Sequence, residues 1–265
     1  MEGILSKSNS GISLENIIST AIRIPGIKVN RESFLREQFK GVSPERLKVI
    51  VEKGPVEAKC SRSDLRKKAR ILINKKTSLS TVASFAAGLP GGFAMVATIP
   101  ADMLQFYGIA LALAQEIVYL YGEGDLWSGD MPDSEKVTKQ LMLYYGVMLG
   151  SSGASQAVKI LSSSLANQAL KKLPQIALTK TFYYPLVKSI AKAFGAKMTK
   201  GIFAKGVSKA IPLIGGVVSG GITLATLPPM GTRLTDALDK AHFSYSCADL
   251  EADWDDISEV CEHDA

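Results

Sequence analysis

The sequence predicts an all-α protein built as a single helical domain, and three observations carry that prediction. Where apolar residues are patterned, as at Val187, Ile190, Ala191, Phe194, Met198 and Ile202, they recur every three or four positions, the period of one helix face. Helix punctuation is explicit: Ser43 followed by Pro44 reads as an N-cap with proline at the first helical position, and Gly54 reads as the stop. Between Lys136 and Pro174 small residues dominate and strand formers are scarce.

Along the chain, residues 1–30 carry Ser and Gly and a short apolar pattern, which predicts a poorly ordered entry with one short helix, about Ser13 to Ile22, stopped before Pro25. An all-helical body is expected over residues 31–240. It opens with basic helices within residues 43–76, the second of them from Ser61 to about Asn74. From Thr77 to Ala101 no side chain is charged. That run is long enough to span a bilayer, but Pro90, Gly91 and Gly92 interrupt it, and proline and paired glycines make one straight helix too costly. The expectation is a bent apolar hairpin around residues 77–121. Its second arm, from Pro100 to Tyr121, has no further proline and is rich in Ala and Leu, giving a helix of about 22 residues and about 33 Å, ended by Gly122. After the acidic loop from Gly122 to Glu135, two helices joined near GSSG are expected. A second apolar segment, around residues 208–238, repeats the design of the first, with Gly215, Gly216, Gly220 and Gly221 as its breaks and Pro228 and Pro229 as its close. Set beside each other, GGFAMVATIP and GGITLATLPP align with one gap, so the two hairpins are expected to pack together, Gly216 and Gly220 permitting close approach. Residues 241–265 read as a flexible acidic tail.

Charge is arranged in blocks. The formal net charge is +6 over 265 residues, yet Asp and Glu are absent from Lys136 to Thr235, where lysines recur. On the amphipathic helix around residues 185–209, Lys188, Lys192, Lys200, Lys205 and Lys209 interleave with Phe194 and Met198. Apolar residues that dip into a headgroup layer beside lysines that meet anionic lipid suit an interfacial helix. The same helix laid on a protein core with solvated lysines is the competing reading. Nucleic acid is not expected as a partner, since arginine is nearly absent from this block.

Few residues invite chemistry. Asp102, Gln105 and Glu116 share a face of the helix after Pro100, but Asp102 and Glu116 stand about 21 Å apart along it, too far to act on one bond. Asp102 reads as a first-turn carboxylate favoured by the helix dipole. Glu116 reads as a half-buried partner for a lysine of the acid-free block, and Asp102 is matched with Arg233, since each follows the proline of its apolar segment. No nucleophile motif, phosphate loop, metal set or cofactor site is expected. Three distant cysteines argue against a zinc site or a disulfide framework, and with no secretory signal read at the start, residence in a reducing cytoplasm is the expectation.

The stretch GLPGGFAMVATIPADMLQFYGIALALAQEIVYLYG, with KAIPLIGGVVSGGI after it, resembles the EcsC family of bacterial proteins over roughly Leu72 to Leu238. LPGG with Pro90, IPAD with Pro100, and IPLIGG carry the resemblance. It implies a mainly helical, cytoplasmic or membrane-associated bacterial protein linked to an ABC-transporter operon, without established chemistry. The expected role is non-catalytic attachment, peripheral or re-entrant, to the inner face of the cell membrane. Anionic lipid or a membrane protein such as a transporter is the expected partner, and homo-oligomerisation is open. The alternative is a soluble helical protein with an apolar ligand pocket, or an enzyme of unrecognised type.

Overall fold

The computed structural model describes residues 14–79, 101–127, 134–165 and 221–263, and every regular element among them is helical. Nine helices result: α1 (Leu14–Ala21), α2 (Arg31–Gln38), α3 (Pro44–Lys53), α4 (Arg62–Leu79), α5 (Ala101–Leu120), α6 (Ser134–Met148), α7 (Ser152–Ser162), α8 (Gly221–Phe243) and α9 (Cys247–His263). The all-α expectation is met. So are several boundaries, each for the anticipated reason. Ser43 accepts from the Arg46 amide and Pro44 opens α3, while Gly54 closes it at φ +94°. Gly122, at φ +100°, ends the chain's run through α5, and Gly150, at φ +85°, turns α6 into α7. Gly54 and Gly122 also meet each other: a Cβ on Gly54 would lie 2.8 Å from the Gly122 Cα, so this crossing admits glycine alone.

Two helices organise the core. From Tyr107 to Leu120, α5 is buried on every side except at Glu116, packed by α1, α2, α4, α6 and α8. A helix apolar all round needs such a surround, and protein supplies it here. Against α5 lies α8, which also packs on α4, α6 and α7. Gly231 is what lets it come so close. A Cβ there would meet Ile73 Cγ1 at 2.6 Å and Leu113 Cδ2 at 3.2 Å. Both second arms of the expected hairpins thus contribute to the protein core in their described parts. Their turns, with Pro90, Gly91, Gly92, Gly215, Gly216 and Gly220, lie outside the described residues, as do most of the two aligned segments.

Three expectations are corrected. Pro228 and Pro229 do not close the second apolar segment, because α8 runs through them for 23 residues. Each removes a helical donor at a cost of about 3 kcal/mol in an isolated helix; packing against four neighbouring helices offsets it. The short helix expected at about Ser13 to Ile22 is present as α1, but its segment is not a loose entry from Leu14 on: Ile17, Ile18, Ala21 and Ile27 are fully buried, so the short apolar pattern belongs to the core. The acidic tail is likewise not flexible over the described residues. Ser246 and Asp249 form a reciprocal capping box, with the Asp249 amide donating to Ser246 Oγ at 3.2 Å and the Ser246 amide to Asp249 Oδ2 at 3.0 Å. Beyond it Leu250, Asp253 and Ile257 form a buried stripe that places α9 on α7. Acidity on the other face of α9 conceals that pattern from a composition reading. Among the described residues no helix is long and apolar enough to cross a membrane.

Candidate functional site

The 18 residues of α4 carry two faces of opposite character. Leu65, Ala69, Leu72 and Ile73 are buried, and beside them Arg62 and Arg66 turn towards α8. There Asp239, 1% exposed, accepts from Arg62 Nε at 2.8 Å, from Arg62 Nη2 at 2.7 Å and from Arg66 Nη1 at 2.9 Å. The other carboxylate oxygen of Asp239 accepts from the Tyr121 hydroxyl at 3.4 Å, and Asp236 takes the second Arg66 nitrogen at 2.7 Å. Two guanidinium groups on one buried carboxylate compensate its desolvation. His242, one turn along α8, stacks on Tyr121 with its Nε2 unpartnered, and burial depresses its pKa to about 4.

The opposite face of α4 is different in kind. Lys67, Arg70, Ile71, Asn74, Lys75 and Ser78 are all exposed and follow one another at spacings of three and four or one, so they form a single stripe. Ile71 lies at its centre, 54% exposed. Among the described residues Lys67, Arg70 and Lys75 enter no ion pair or hydrogen bond. At the C-terminal end of this stripe the chain enters the uncharged sequence from Thr77 to Ala101.

The polar residues singled out in the sequence are dispersed. Glu116, 13% exposed at its side chain, takes Lys76 Nζ at 2.8 Å, so its partner comes from α4 and not from the acid-free block. The reason is the α4–α5 packing, which sets the last turns of α4 beside the middle of α5. Burial raises the Glu116 pKa against the lowering influence of Lys76, and its second oxygen is unpartnered. Arg233 donates to the Met148 carbonyl at 3.0 Å, at the end of α6. Asp102 and Gln105 belong to α5, but their side chains lie outside the described residues, and with them the proposed Asp102–Arg233 pair. Lys188, Lys192, Phe194, Met198, Lys200, Lys205 and Lys209 lie outside the described residues too.

Other groups with structural weight escaped the sequence reading. Gln115 is fully buried and fully used: its oxygen accepts from the Val29 amide at 3.0 Å and the Trp127 indole at 2.9 Å, and its nitrogen donates to the Ile27 and Leu111 carbonyls. Its signal was a single amide inside the apolar run ALALAQEIVYLY. Asp239 had no such signal, because only the tertiary fold brings α4 to it. Cys60 is buried and its thiol pKa is raised by desolvation, the condition of an inert cysteine. No family model, no curated protein and no solved structure matches this chain.

Proposed function

We propose that the chain is a non-catalytic helical protein that docks on the anionic cytoplasmic face of a bacterial membrane, in keeping with its resemblance to the EcsC family. The observation that carries this reading is the outward stripe of α4, three exposed cations around an exposed isoleucine, none of them in an ion pair or hydrogen bond among the described residues. Elsewhere on the same helix the arginines are neutralised by α8, so the stripe is the part of α4 with charge to offer a partner. Each Lys or Arg near an anionic leaflet contributes about 1 kcal/mol, and Ile71 adds apolar contact at headgroup depth.

Flotation with phosphatidylglycerol vesicles, compared with phosphatidylcholine vesicles, tests the reading. Binding to the anionic vesicles at low salt, released as salt screens the charges, is the expected result. The triple change Lys67→Gln, Arg70→Gln, Lys75→Gln should weaken binding by about a hundredfold, from about 3 kcal/mol of lost attraction. If the unaltered protein ignores anionic vesicles at low salt, or the triple variant floats as well as the parent, lipid docking through α4 is wrong. Retention on native membranes but not on pure vesicles would replace lipid by a membrane protein as the partner.

A further inference from the structure

A second charged feature lies away from the α4 stripe. The α6–α7 turn and the middle of α8 border an open cleft of about 380 Å³, within the range of small-ligand sites. Three cations from two helices line it, Lys159 of α7 with Arg233 and Lys240 of α8, against one carboxylate, Asp236. Each of these charges is held in place. Arg233 Nη1 is fixed on the Met148 carbonyl, which leaves its other nitrogens to the cleft, and Arg233 has no carboxylate partner among the described residues. Gly150 leaves room beside it, since a Cβ there would stand 3.6 Å from Arg233 Nε. Lys159 is held by Asp253 at 2.6 Å and Lys240 by Asp249 at 2.8 Å, both from α9. The one lining carboxylate is turned to Arg66 at 2.7 Å. Ser155, also in the lining, has a hydroxyl with no partner in the described protein.

We infer that this cleft binds a phosphate group, with Arg233 as its principal donor, Lys240 and Lys159 as flanking cations and the Ser155 hydroxyl as a further contact. A guanidinium with free donors matches the oxygens of phosphate, and the ammonium groups add charge without demanding geometry. A phosphomonoester carries between one and two negative charges near neutral pH, so several cations favour it over a carboxylate. Because neighbouring groups hold the cations beforehand, little ordering is required on binding. Asp249 and Asp253 compete for the same lysines, which sets the affinity below that of a site with free cations.

Calorimetric titration with inorganic phosphate, at about 150 mM NaCl to suppress diffuse ion binding, tests the inference. Saturable binding is expected, weakened about tenfold or more by Arg233→Gln, and unchanged by Lys48→Gln on distant α3. Lys240→Gln provides a second variant, and circular dichroism confirms that each variant is folded. Two further arms separate the source of the phosphate. Binding of glycerol 3-phosphate comparable to inorganic phosphate points to a soluble phosphomonoester; preference for phosphatidic acid in phosphatidylcholine vesicles, lost in Arg233→Gln, points to a lipid headgroup. No saturable phosphate binding by the unaltered protein, or equal binding by both folded variants, overturns the site. The triple variant of the α4 stripe should keep its phosphate affinity, so failure of membrane docking and failure of this site give different results.

Discussion

The two faces of α4 show how one helix divides its charge between holding the fold and meeting a partner. Towards α8, Arg62 and Arg66 converge on Asp239, whose side chain is almost fully buried, and their positions are fixed by it. On the solvent face Lys67, Arg70 and Lys75 surround Ile71 and enter no ion pair or hydrogen bond among the described residues. Both faces are basic, and nothing in the local sequence RSDLRKKARILINKK separates them except helical phase. The contrast teaches that charge count is a poor guide to availability: a cation opposite a buried carboxylate belongs to the core.

The largest effect should come from breaking the inner face. Replacing both Arg62 and Arg66 with Gln leaves Asp239 buried without a cation, at a cost of about 3–5 kcal/mol. Either single change leaves one guanidinium in place and should cost about 1 kcal/mol, so the double change is far from additive. Urea denaturation of the three variants measures this, and additive small losses would mean that Asp239 carries no such dependence.

Next in size is a pH effect at the same junction. With its folded-state pKa near 4, His242 is neutral in both states above about pH 7 and contributes nothing there to the pH dependence. As pH falls through about 6.5 the unfolded chain takes up a proton that the folded chain refuses, so stability declines until about pH 4, by up to about 3 kcal/mol. His242→Phe should flatten that part of the stability curve. A variant curve parallel to the parent between pH 6.5 and 4 would assign the decline to other groups.

A steric change comes third. Gly231→Ala drives a methyl group into Ile73 and Leu113, where α8 crosses α4 and α5, and should cost about 1–3 kcal/mol. A thermal midpoint unchanged by this substitution would show that the crossing has slack. The smallest effect on stability belongs to the outer face: Ile71→Ser should shift it by less than about 0.5 kcal/mol. The same substitution should still weaken vesicle binding, and a stability loss comparable to Gly231→Ala would place Ile71 in the fold rather than on an interface.

Much of the helical framework was legible because its signals are local. Ser43, Pro44, Gly54, Gly122 and the GSSG turn act through their own backbone neighbours, and each ends or begins a helix as read. The candidate site was less legible. The α4 stripe was visible as a basic cluster, but not as two faces with different fates. Glu116 was recognised as a half-buried carboxylate, yet its cation could not be chosen among many lysines without the α4–α5 packing. The order of α9 is harder to read although Ser246 and Asp249 announce a helix start, because the acidic composition of the segment masks the capping box and the Leu250, Ile257 spacing.

By itself the sequence determined the helical class, the ends of α3 and α5, the α6–α7 turn and the location of its charged blocks, since propensity, capping and composition act within a few residues along the chain. Only the tertiary structure decided which charges are free. Asp239 and its arginines are more than 170 residues apart, and Arg233 reaches the end of α6 across 85. Such pairings depend on which helix faces the core brings together. Burial then determines whether a charge is a structural tie or an available contact.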